Sequence, residues 1–101
     1  MAQEAKKTPE WLTVTNDSAR ITLSSPIAIN DVKTDQLVLR SPTIREVRAA
    51  TRAGGDDEEQ RELILFASLS DAGQKDLEGL SVRDYKRVQT AYFRLVREDG
   101  V

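Results

Sequence analysis

The sequence predicts an α+β fold: an N-terminal β-hairpin, with room for a third short strand beside it, packed on three to four short helices. Three observations carry this reading. Between Ala19 and Arg40 apolar residues alternate with a period near two, as in strands with one buried face. From Thr43 onward the apolar spacing changes to three and four, the period of amphipathic helices. The helical stretches are separated by stop and start signals at Gly54-Gly55, Ser70 to Gly73 and Ser81.

Residues 1–18 read as a flexible arm, because Met1 to Glu10 is small, charged and polar. Within it, Trp11 to Thr15 alternates as a short strand would, and Trp11, the only tryptophan, is expected to pack over a core edge. The hairpin follows. Ile21 and Leu23, then Ile27 and Ile29, occupy one face of the first strand, and Leu37 and Leu39 one face of the second. Asn30-Asp31 supplies the turn, since both side chains tolerate left-handed backbone and bond to their own main chain. Pro26 lacks an N–H, so it makes this strand an edge or marks a bulge. Two strands alone are marginal in water, so helices must cover their apolar face.

Thr43-Ile-Arg-Glu46 fits a capping box, and Pro42 disfavours an earlier helical start. Ile44, Val47 and Ala50 form the apolar side of this first helix, and Gly54-Gly55 ends it. Asp56 to Glu59 places carboxylates in the first turn of the next helix, where the positive end of the helix dipole favours them. Leu63, Ile64, Phe66, Ala67 and Leu69 make that helix the most buried. Gln74 to Leu80 holds a short turn around Leu77. Ser81 caps the last helix with Asp84 as a box partner, and Leu80 and Tyr85 have the spacing of a hydrophobic staple. Tyr85, Val88, Tyr92 and either Leu95 or Val96 form its apolar stripe. The single domain therefore spans residues 19–97, with a frayed end at 98–101.

Composition narrows the function. The chain has 101 residues, 32% charged and 39% hydrophobic, with no cysteine and no histidine. That excludes disulfides, thiol catalysis and thiolate metal sites, and removes the commonest general base and transition-metal ligand. Ser24, Ser25 and Ser81 have no histidine to activate them and stand in no nucleophile motif. Asp56 to Glu59 lacks the spaced oxygen ligands of a calcium loop, and Gly54-Gly55 lacks the lysine and hydroxyl of a phosphate loop. No catalytic residue, metal site, cofactor or small-molecule ligand is expected. No apolar run approaches a membrane span of about 20 residues. MAQEAKKTPE has no apolar segment after its lysines, so it does not read as a secretory signal. A cytoplasmic protein is expected.

Charge is segregated along the chain. Arg40 to Ala53 carries four arginines and one glutamate, Asp56 to Glu62 five acids and one arginine, and Arg83 to Arg97 five basic residues and one aspartate. Arg45, Arg48 and Arg52 share a helical face, which is the alternative reading: a small nucleic-acid-binding regulator gripping phosphates. The net charge of −2 and the lack of interleaved aromatics weigh against it. Pairing of these arginines with the adjoining acidic block is the favoured reading.

The order of motifs carries a resemblance. Ile21-Thr-Leu23, Leu39-Arg-Ser-Pro-Thr43, Gly54-Gly-Asp-Asp57, Leu63 to Ser70 and Leu80-Ser-Val-Arg-Asp-Tyr85-Lys-Arg-Val88 together resemble the small tail assembly chaperones of Mu-like contractile-tailed bacteriophages. The resemblance covers Ala19 to Leu95. It implies a non-catalytic helper in the host bacterial cytoplasm, not retained in the mature virion. Its implied partners are the tape-measure protein, a longer frameshifted form of itself, and other tail proteins. A chaperone for a long amphipathic helix needs an apolar groove with a polar rim. The candidate surface is the last helix: Tyr85, Val88, Tyr92, Phe93 and Val96, with either Tyr92 or Phe93 as its exposed anchor, because adjacent residues diverge by about 100°.

Overall fold

The hairpin turn sets the register of the sheet. In the computed structural model, which describes residues 8–97, Asn30 and Asp31 adopt φ of 53° and 67°. Left-handed backbone at both central residues is what a tight hairpin turn requires. It joins β2 (Ser18–Ile29) to β3 (Val32–Arg40), and β1 (Leu12–Val14) pairs antiparallel on the other side of β2. Alternation then decides the buried face: Ala19, Ile21, Leu23, Leu37 and Leu39 are buried while Arg20, Gln36, Val38 and Arg40 are exposed. Residues 1–7 of the expected arm, and the expected frayed end at 98–101, lie outside the described residues. The rest of the arm holds β1, and its Leu12 is part of the core at 3% exposure.

Four helices follow: α1 (Ile44–Gly54), α2 (Glu58–Ser70), α3 (Gln74–Glu78) and α4 (Val82–Val96). Three of the four starts are set by a side-chain cap. The Thr43 and Glu46 capping box is complete in both directions, the Asp57 carboxylate accepts from Gln60 N–H at 3.1 Å, and Ser81 Oγ accepts from Asp84 N–H at 3.1 Å. Each side-chain cap stabilises its helix by about 1 kcal/mol. The first helix ends where Gly54 lies against Arg61: a Cβ there would come within 2.7 Å of the Arg61 backbone nitrogen. Of the α2 residues only Glu58, Glu59 and Ser68 are exposed, and α2 brings Leu65, Phe66 and Leu69 to the core. α4 lies on β2 and β1, α2 on β3, and α1 on α2.

Where sequence and structure part, polar groups and exposure are responsible. Asp84 does not complete a capping box with Ser81. It is fully buried, and its two carboxylate oxygens accept from Ser24 N–H at 2.8 Å and Ser25 N–H at 3.2 Å. Those N–H groups sit in the register shift of β2 between Thr22 and Ile27, the bulge that Pro26 marks. Arg87, one turn along α4, donates to Thr22 O at 2.6 Å, and its guanidinium stands 5.1 Å from the centre of the Trp11 ring. Ile44, expected on the apolar side of α1, is 75% exposed, because the helix begins before it reaches α2. The expected pairing of Arg45, Arg48 and Arg52 with the acidic block is also absent. The ion pairs among the described residues are Arg40–Glu46, Arg61–Glu58 and Arg87–Asp84.

Candidate functional site

α4 has two faces of opposite character. At about 100° per residue, Asp84, Val88, Ala91 and Leu95 point one way, and all four are buried. On the opposite side Val82, Lys86, Gln89, Phe93 and Val96 fall within an arc of about 80° and run about 21 Å along the helix. Three of these are exposed large hydrophobics: Val82 at 74%, Phe93 at 68% and Val96 at 45%. Scattered single hydrophobics on a surface are ordinary, but three aligned on one helical stripe form a surface that another helix can meet.

The N-terminal half of this stripe forms one wall of a groove of about 390 Å³ between α2, α3 and α4. Leu63, Leu77 and Leu80 give it an apolar floor, and Glu59, Glu62 and Glu78 against Lys86 give it an acidic rim. The Glu62 carboxylate accepts from Tyr85 Oη–H and from Gln89 Nε2–H, both at 2.8 Å. Burial, followed by the hydrogen bond to Glu62, pushes the Tyr85 phenol well above its ordinary range, and burial likewise raises Tyr92.

The five residues expected to bind a partner therefore divide. Val88 is a core residue with no exposed surface and leaves the candidate surface. Tyr85 and Tyr92 are half-buried, their rings 5.8 Å and 5.4 Å from that of Phe66; Tyr85 also lines the groove. Phe93 and Val96 stand outside, so Phe93 is the exposed one of the adjacent aromatic pair. Sequence reasoning missed Val82, Lys86 and Gln89. The signal was present: Val82, Lys86, Gln89, Phe93 and Val96 are spaced 4, 3, 4 and 3, but the two polar residues obscured it.

The alternative face on α1 is also built. Arg45, Arg48 and Arg52 are exposed and, with Ile44, line a shallow concavity of about 480 Å³. Their neighbour Glu46 faces elsewhere: it accepts from Thr43 N–H at 3.1 Å and from Arg40 at 3.0 Å, and these bonds hold its carboxyl below the usual range. Among the described residues no group of three or more acidic side chains is placed to hold a metal ion, and no helix is long and apolar enough to cross a membrane.

A small α+β domain with an apolar helical stripe and an acidic-rimmed groove has the surface chemistry of a protein-binding module. Comparison with known families makes this specific. Residues 20–97 match the family described as phage tail assembly chaperone proteins, E, or 41 or 14. The chain belongs to the family of phage tail assembly chaperones. Searches of curated proteins and of solved structures return no match.

Proposed function

We propose that this tail assembly chaperone acts by binding the tape-measure protein in the host cytoplasm, before the tail tube polymerises around that long helical chain. The reading is non-catalytic, and a longer frameshifted form of the chain is a further partner. The observation that supports it best is the exposed C-terminal end of the α4 stripe, Phe93 and Val96, on a chain of this family. An apolar pair on a solvated helix offers a long amphipathic helix reversible contact, which a helper that must later let go requires. Burying two such side chains contributes about 3–6 kcal/mol before the costs of association.

The test is co-expression with the tape-measure protein, scored by solubility and co-purification, for the wild type and for a Phe93→Ser/Val96→Ser variant. The expected outcome is a soluble complex with the wild type, loss of co-purification with the variant, and unchanged thermal unfolding of the chaperone alone. Equal co-purification by both would remove this surface from the function. No complex with the wild type would remove the tape-measure protein as partner.

A further inference from the structure

The exposed stripe of α4 repeats as a heptad. Val82, Lys86, Gln89, Phe93 and Val96 are spaced 4, 3, 4 and 3, the alternation of d and a positions in a coiled coil. In that register Val82, Gln89 and Val96 are d residues, and Lys86 and Phe93 are a residues. Arg83, Thr90 and Arg97 fall at e, along one flank, and Tyr85 and Tyr92 at g, along the other. Arg83, Lys86 and Arg97 are exposed, and neither Arg83 nor Lys86 forms an ion pair among the described residues. Just behind the e flank, Arg94 Nη1 is shielded from solvent and meets no acceptor among the described residues. On the g flank the Tyr85 hydroxyl donates to Glu62, and Glu59 and Glu78 line the same groove. The seam is therefore two heptads long, positive at its centre and along one edge, and bordered by carboxylates beyond the other.

We propose that this seam takes one amphipathic helix of another protein, chosen by charge: apolar at its own a and d positions, with a carboxylate opposite Lys86 and carboxylates along the edge that meets Arg83 and Arg97. The inference rests on the reading of Phe93 and Val96 as a docking surface, and adds how the partner's place on that surface is selected. Apolar contacts alone let a helix dock in several registers, whereas a charge at a single a position fixes one register at a cost in stability. Lys86 occupies such a position. A second copy of this chain does not fit the seam. Parallel pairing of two α4 helices sets Lys86 against Lys86, and antiparallel pairing sets the two e flanks, with Arg83 and Arg97, against each other. A nucleic acid fits poorly as well, because the acidic rim of Glu59, Glu62 and Glu78 beyond the opposite flank repels a polyanion. A helix with carboxylates on one edge meets the arginines and leaves the rim alone.

The test is titration of two labelled synthetic helices of about three heptads with the full chain, followed by fluorescence anisotropy. Both helices have Leu at a and d and Gln along one flank. The first carries Glu at its central a position and along the other flank, and the second carries Lys at the same places. The wild type is expected to bind the Glu helix at least about tenfold more tightly, because the Lys helix sets like charges face to face, and added salt should narrow the gap. Arg83→Glu/Lys86→Glu is expected to reverse the preference with unchanged thermal unfolding, since both positions are exposed. Phe93→Ser/Val96→Ser is expected to lose both helices. Equal binding of the two helices by the wild type overturns the proposal. So does an unchanged preference in Arg83→Glu/Lys86→Glu, or binding that survives Phe93→Ser/Val96→Ser. Failure of the wild type to bind either helix overturns it too, and the tape-measure reading still stands if that protein co-purifies with the wild type and not with Phe93→Ser/Val96→Ser. A gel shift with nucleic acid that is lost in Arg83→Glu/Lys86→Glu, without binding of the Glu helix, would reassign the basic edge to phosphates.

Discussion

The inward and outward faces of α4 are built from the same fifteen residues and do opposite work. The inward face is small, tightly packed and holds a charge: Val88, Ala91 and Leu95 fill the space over the sheet, while the Asp84 carboxylate closes the bulge in β2. The outward face leaves Val82, Phe93 and Val96 in water. Each face holds an exception to the usual rule of apolar inside and polar outside: Asp84 within, and Val82, Phe93 and Val96 without. The lesson is that burial alone does not sort structural from functional residues. A buried charge with every oxygen partnered marks a structural constraint, whereas an exposed hydrophobic with no partner marks a surface still to be covered.

Substitutions on the inward face are expected to unfold the chain. Asp84→Ala leaves Ser24 N–H and Ser25 N–H without their acceptor and Arg87 without its ion-pair partner, and should cost about 3 kcal/mol or more, read by urea unfolding. Asp84→Asn keeps one acceptor oxygen and should cost less. If both variants are as stable as the wild type, the inward face is not the constraint described here. Val88→Ala, which removes two methyl groups from a fully buried site, should cost about 2 kcal/mol by the same measurement.

Acid titration sharpens the comparison without removing atoms. Burial works to raise the Asp84 carboxyl, but the Ser24 and Ser25 N–H groups and the Arg87 guanidinium outweigh it and hold the group below its ordinary value. The native carboxylate thus resists protonation while the unfolded chain takes up its proton near the ordinary value of about 3.9. Its stabilisation is complete above that value and is lost as pH falls through the lower native one. Unfolding free energy measured from pH 6 to pH 2 should fall in this window, and Asp84→Asn should remove that part of the slope. The smallest effect on stability belongs to the outward face. Phe93→Ser and Val82→Ser should each change it by no more than about 0.5 kcal/mol. A large loss would mean that these side chains pack against something in the folded chain.

Much of the scaffold was legible. The hairpin turn at Asn30-Asp31, the Thr43 box, the glycine stop after α1 and the Ser81 cap are local signals, each decided within about four residues, and all appear in the structure. The expected Trp11 packing also appears, with Arg87 over its ring. What was not legible depends on residues far apart in the chain. Asp84 looked like a modest cap partner because its true partners are 59 and 60 residues away. Val88 looked like a binding residue because periodicity gives the stripe but not which side of it the sheet takes. Ile44 fitted the apolar period of α1, yet as the first residue of the helix it is left 75% exposed. The arginines looked paired because their acidic partners are adjacent in sequence. In space the turn at Gly55 carries α2 to the side of α1 that they do not face.

The clasp between Asp84 and the β2 bulge also sets an order of events. The hairpin closes over a two-residue turn, whereas the clasp must close a loop of some sixty residues, whose entropy is lost before any contact rewards it. The strands are therefore expected to pair first and α4 to arrive last, its register set where the Asp84 carboxylate meets the two N–H groups of the β2 bulge. A contact made after the folding barrier governs how fast the native chain comes apart rather than how fast it forms. In stopped-flow measurements Asp84→Asn should accelerate unfolding and leave the refolding rate nearly unchanged. The lifetime of the folded chaperone would then be written in one carboxylate rather than in the helices that surround it.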